Sequence, residues 1–219
     1  MTETLDLHWE FSKLIPALQN RIEKLYSIGT IIQSHPLGFL RLALEGQGES
    51  ANGFFLHVWM PGLPVQEGGA FMHQHVFDLS SRVLKGTLRD TLYKPVEDPQ
   101  GPYQLIKGKN AQEYGVITND VLAHVKMDVI RTLDVNAGEI YAVEKGQYHA
   151  TDVDPESIVV TLIKKSNVDI TLDPIVAVPN EVKISHTPYR KDNFDQSFAW
   201  DHVRKLFREC REGFPNFVI

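Results

Sequence analysis

The 219-residue sequence predicts a mainly β protein, its antiparallel sheets forming a sandwich, jelly roll or barrel, with one helix before them and one after. Apolar residues recur at helical spacing only near the two ends. Between them lie short alternating or apolar runs, punctuated by Gly, Pro, Asn and Asp. Those runs are too closely spaced to leave room for the crossover helices that parallel strands need. No repeat, low-complexity segment or long linker divides the chain. One domain over 1–219 is therefore expected, with an N-terminal helical segment at 1–30, a barrel at 37–170 and a C-terminal helix at 193–213.

Each element has its own warrant. From Trp9 to Tyr26, residues Phe11, Leu14, Ile15, Leu18, Ile22 and Leu25 form one helical stripe, with Ser12 as the expected cap and Pro16 tolerated near the first turn. Strands are expected at 39–44, 53–60, 72–77, 81–93, 104–107, 114–117, 127–134, 139–143 and 157–164. A Pro-bearing stretch at 173–193 reads as irregular. The last helix follows, its residues Phe198, Ala199, His202, Val203, Leu206, Phe207 and Cys210 filling two adjacent columns of its surface.

Composition excludes several roles. The balance of 22 Lys and Arg against 28 Asp and Glu gives a net charge of −6, and no basic block stands ready to neutralise a row of phosphates, so no nucleic-acid partner is expected. One cysteine, Cys210, rules out an intrachain disulfide and a multi-thiolate metal site. The start, Met1-Thr2-Glu3-Thr4-Leu5-Asp6, is acidic where a signal peptide would be basic, and no long apolar run follows. A cytoplasmic protein with no membrane partner is expected. A chain of this size buries roughly 70% of its unfolded surface, so a metal would be present for function and not merely to hold the fold.

The chemistry concentrates in two segments. In Met72-His73-Gln74-His75, the period of a strand puts both imidazoles on one face, where they could grip one ion from adjacent positions. Nine histidines in the chain could produce one such pair by chance. Some seventy residues later, Gly138-Glu139-Ile140-Tyr141-Ala142-Val143-Glu144-Lys145-Gly146-Gln147-Tyr148-His149 runs from a glycine through a strand and a glycine turn to a third histidine. Together the two segments resemble the paired motifs of the cupin superfamily, the first matched by His73, His75 and Gly86 and the second by Gly138, Gly146 and His149. The resemblance spans about half the chain, from about Phe54 to Lys164.

That resemblance implies a cupin jelly-roll barrel holding one divalent metal through His73, His75 and His149. Two positions depart from the pattern. Glu144 replaces a turn proline, and Leu79 falls where the family's carboxylate ligand would stand. The chain therefore resembles the three-histidine cupins of the cysteine dioxygenase and diketone-cleaving dioxygenase types, although Asp78, one residue away, could act as a fourth ligand through a bulge. Iron(II) is favoured by resemblance, whereas imidazole ligands alone also suit Zn, Ni, Mn or Cu.

Three neutral imidazoles leave the ion its full double charge and several vacant positions, which suits a small anionic chelating substrate, thiol or diketone-like. The expectation is a non-haem iron dioxygenase. The alternatives are a non-redox metal-dependent isomerase or hydrolase, and a non-catalytic cupin that binds a small ligand and keeps its histidines as hydrogen-bonded core residues. Arg82 could clamp a substrate carboxylate if it faces inward, against the tendency of arginine to face solvent. Tyr141 or Tyr148 could donate a hydrogen bond in the site or simply pack. His57 and Trp59 could line the pocket, with His57 not expected to be a ligand. His202 reads as structural, and His8, His35, His124 and His186 lie in expected termini or loops. An exposed edge strand makes a homodimer an open option.

Overall fold

The computed structural model describes residues 4–35, 37–45, 52–63, 72–110, 115–182 and 194–212, with the backbone alone at 108–110, 115–120 and 209–212. Within them run helix α1 (Phe11–Ser27), strands β1 (Gln33–His35), β2 (Phe39–Ala43), β3 (Gly53–Trp59), β4 (Met72–Gln74), β5 (Asp78–Lys85) and β6 (Thr87–Glu97). They continue as β7 (Tyr103–Asn110), β8 (Gly115–Asn136), β9 (Ile140–Val143), β10 (Tyr148–Asp152), β11 (Val159–Ser166), β12 (Ile175–Pro179) and helix α2 (Gln196–Glu212). The fold is mainly β with helices at both flanks, consistent with the cupin jelly roll. One sheet has the order β1-β2-β3-β11-β5-β9, while β10-β4-β12-β7-β8-β6 closes into a barrel, all pairs being antiparallel.

Strand alternation assigns the faces of the six-stranded sheet. Leu40 and Leu42 on β2, Phe54, Leu56 and Val58 on β3, and Val160 and Leu162 on β11 share a core with Leu14, Leu18 and Ile22 of α1 and with Trp200, Val203 and Phe207 of α2. The helices thus cover this face. Residues of opposite phase, Phe55, Leu79, Val83, Val159 and Ile163, pack instead with Leu88, Leu92 and Val135 from the barrel. Polar residues on that inner face are therefore turned toward the histidines.

The structure changes several expected boundaries. Glu10, not Ser12, occupies the α1 cap position, and it makes no side-chain capping bond; Ser12 lies inside the helix. The strand expected at 72–77 ends at Gln74, and the one at 81–93 breaks at Gly86, whose φ of +78° turns β5 into β6. The two strands expected at 114–117 and 127–134 are one 22-residue β8, supported by β6 and β7. In the stretch expected to be irregular, β12 pairs with β4 and β7 and closes the barrel, with prolines confined to its borders. Trp200 joins the core of α2, whereas Phe198 is 38% exposed and His202 lies on the helix flank, its Nδ1 2.8 Å from the Phe198 carbonyl oxygen. The Cys210 side chain lies outside the described residues. Among the described residues no helix is long and apolar enough to cross a membrane.

Candidate metal centre

Pairing of β4 with β10 places His73 directly opposite His149, and His75 follows at the end of β4. Each of the three rings offers a nitrogen, and these atoms all lie within 4.8 Å of one another. His75 Nε2 and His149 Nε2 are 3.0 Å apart. Two nitrogens bound about 2.1 Å from one ion stand about 3.0 Å apart at a right angle and about 3.4 Å apart at the tetrahedral angle, so the pair suits adjacent coordination positions. The three-histidine cluster fits a divalent metal.

The chemistry of the donors agrees with that fit. Burial, reinforced by His73, His149, Lys165 and His57, holds the His75 imidazole well below the usual histidine range, so it is neutral at pH 7 with a lone pair to give. His149 is buried on β10, and its Nδ1 lies 2.8 Å from Oδ1 of Asp90, which β6 carries alongside. With Nδ1–H donating to the carboxylate, Nε2 is left as the ligand atom and the ring is fixed in orientation. Sequence reasoning missed Asp90. Its signal was the alternation Leu88, Asp90, Leu92, which puts one carboxylate on an otherwise buried face of β6.

The remaining expected residues lie apart from the three rings. Asp78 accepts the Lys145 backbone N–H at 2.9 Å and the Asn167 amide at 2.6 Å, tying two loops together; these bonds hold its carboxyl below the usual range. It is not brought into the cluster. Arg82 points to the opposite face of its strand, donating to the carbonyls of Leu7, at 2.8 Å, and Trp9, with its guanidinium 4.3 Å from the centre of the Phe11 ring. Tyr141 is buried beside Asp90, Ser81 and Thr151, on the Nδ1 side of His149, and burial pushes its phenol up to about 12. Burial likewise pushes Tyr148 up to about 12.

The inner face of the six-stranded sheet brings further groups. His57 stacks with Phe39 at 4.3 Å and meets Trp59 edge-on at 5.8 Å, while His35 stacks on the other flank at 4.0 Å from Phe39. Burial first, then Arg41, holds both imidazoles well below the usual range. His35, His57 and His75 are each half-buried. His35 belongs to β1 and not to a loop. His8 and His124 are exposed, and His186 lies outside the described residues. A cleft of about 380 Å³ opens beside His75 and is also lined by Gln74, Lys107, Leu122, Lys145 and Leu172.

No protein-family model and no curated protein matches the chain. Among solved structures, a hydroquinone 1,2-dioxygenase from a Sphingomonas species, with 4-hydroxybenzoate bound, is 14% identical at a TM-score of 0.33, over 58% of this chain and 66% of that one. The DMSP lyase DddQ from Ruegeria pomeroyi is 14% identical at a TM-score of 0.36, over 64% of this chain and 51% of that one. A cupin-like protein from Thermotoga maritima is 11% identical at a TM-score of 0.33, over 59% of this chain and 69% of that one. The chain thus spans just under two thirds of the first of these proteins and about half of the second. What it does chemically has to come from its own residues.

Proposed function

We propose that the protein is a metal-dependent enzyme, a non-haem iron(II) dioxygenase acting on a small anionic chelating substrate, thiol or diketone-like. The observation that carries this reading is the composition of the cluster, three imidazoles that no carboxylate joins among the described residues. Iron(II) held there would keep its full double charge and supply a redox-active Lewis acid for substrate and dioxygen.

The chain's own residues do the rest. His73, His75 and His149 would hold the ion through one ring nitrogen each. Asp90 fixes the His149 ring, so the site is oriented before an ion arrives. Phe77, stacked on His75 at 4.5 Å, shields that ring from water. Tyr141, protonated at neutral pH beside Asp90, keeps the surroundings of that carboxylate polar without adding a charge.

The test is an oxygen electrode run on protein loaded anaerobically with iron(II) and presented with small thiols and 1,3-diketones. The expected result is one dioxygen consumed per substrate converted, lost in His149→Ala. Conversion of substrate without oxygen uptake would contradict the dioxygenase reading and identify a non-redox Lewis-acid enzyme.

A further inference from the structure

Strand β8 is longer than its partners cover. Its first half, as far as Val125, pairs with β7, and its second half, from Val125 onward, pairs with β6, each along one edge only. Among the described residues no strand pairs with the other edge of β8 from Lys126 to Val135. Here the strand also carries exposed apolar side chains. Val129 is 62% exposed, Ile130 63% and Leu133 36%, interleaved with Lys126, Asp128, Arg131 and Asp134. An unpaired row of peptide groups flanked by apolar side chains is a template for a further strand.

The irregularity of this edge limits what can pair with it. Leu92 of β6 meets Arg131 and Tyr93 meets Val129, so Ile130 is an extra residue, a β-bulge. The bulge reverses the alternation of the strand. Asp128, opposite Lys94, and Arg131, opposite Leu92, therefore lie on one face, whereas Val129 and Thr132 lie on the other with Tyr93 and Thr91. Charges and bulges of this kind block indiscriminate pairing of sheet edges, but not pairing with a strand of matching irregularity. The strand that matches is β8 of a second copy. In an antiparallel pair the peptide groups of opposed residues face each other, so across a two-fold axis a residue before the bulge meets one of opposite parity after it. One such register sets Asp128 against the partner's Arg131, Val129 against the partner's Ile130, Met127 against the partner's Thr132 and the Lys126 stem against the partner's Leu133. Sliding the copy two residues one way sets Lys126 against the partner's Arg131, and two residues the other way opposes no unlike charges.

We propose that this edge is the interface of a homodimer, in which β8 of one copy pairs antiparallel with β8 of the other, bulge against bulge. Strands β4, β10, β6 and β8 then continue as one sheet through both chains. Every contact occurs twice in such an isologous interface, so two Asp128–Arg131 pairs flank a centre made of Val129 and Ile130 from both copies. Pairing removes those exposed apolar side chains from water. In the single chain Asp128 lies 2.8 Å from Lys126 in an exposed ion pair of little worth, so turning to the partner's Arg131 sacrifices little. The inference concerns assembly and is independent of the reaction proposed above.

The test is sedimentation equilibrium over a concentration series, with far-ultraviolet circular dichroism as the check on folding. Wild type is expected to reach twice the 24.8 kDa mass of its chain. Arg131→Glu and Asp128→Lys each oppose like charges at both ends of the interface centre and should weaken the dimer at least about tenfold. Combining the two restores unlike charges in reversed order, and the double variant should regain most of the lost affinity. Amide exchange of wild type over residues 126–134 should slow as its concentration rises. A chain that stays monomeric throughout, or a dimer that both single variants leave unchanged, overturns the proposal. Growth into an open-ended polymer overturns it as well, because a two-fold pairing closes on itself. So does a double variant no better than the singles, since the proposed register opposes those two residues. Should a variant lose its circular dichroism, the exchange of wild type decides: slowing over 126–134 supports the interface, and its absence overturns it.

Discussion

Asp90 is fully buried and touches the metal centre only through the Nδ1 of His149. Asp90→Asn keeps its shape but removes the charge that fixes the ring, and metal affinity is expected to fall about 10- to 100-fold in competition with a chromogenic chelator, with the far-ultraviolet circular dichroism unchanged. Arg82 has the opposite profile. Arg82→Ala strands the Leu7 and Trp9 carbonyls and should lower stability by about 1–3 kcal/mol in urea titrations without changing metal stoichiometry. At this scale the sequence is readable wherever the signal is local. His73 and His75 lie two apart, and His149 follows a glycine turn, so their convergence follows from strand period and turn chemistry. Asp90 had the same kind of signal, a charge in phase with Leu88 and Leu92. The facing of Arg82 was less accessible, because only the pairing of β5 with β9 and β11 shows which phase of β5 meets the barrel.

Gly86 separates β5 from β6 in a conformation that other residues avoid, and a Cβ placed there would stand 2.6 Å from the Ile158 carbonyl oxygen. Gly86→Ala is therefore expected to cost about 2–4 kcal/mol, measured by chemical unfolding, because backbone strain and a clash with main chain combine. The packing of the helices on the sheet gives a second expectation. Leu162 on β11 faces Leu56 across the ladder and is fully buried, so Leu162→Ala should cost about 2–5 kcal/mol. Which elements exist was largely evident from periodicity, but not how they break and join. The 22 residues of β8 contain polar interruptions that look like a turn in one dimension, and they stay extended because β6 and β7 pair along them. The bordering prolines of β12 likewise obscured a strand held in place by partners distant in sequence.

Across the whole molecule, burial of neutral imidazoles makes stability depend on pH. His35, His57 and His75 all have folded-state values well below 6.5, so below that pH the unfolded chain takes up protons that the folded chain refuses. The metal-free protein should therefore be most stable above about pH 6.5 and lose stability as the pH falls below it, with a shallower fall in His57→Gln, as melting temperatures from pH 8 to pH 5 would show. Layer order explains why the site exists at all: helices seal one face of the six-stranded sheet, which frees the other to carry Arg41, His57 and Lys165 toward the three histidines. The most direct test is elemental analysis of untagged protein, wild type and His149→Ala, each reconstituted in turn with iron(II), zinc, nickel, manganese and copper. About one ion per wild-type chain, lost in the variant, is the predicted result for a three-imidazole centre. A wild-type chain that retains no ion from any of these, or a variant that holds as much as wild type, would contradict it.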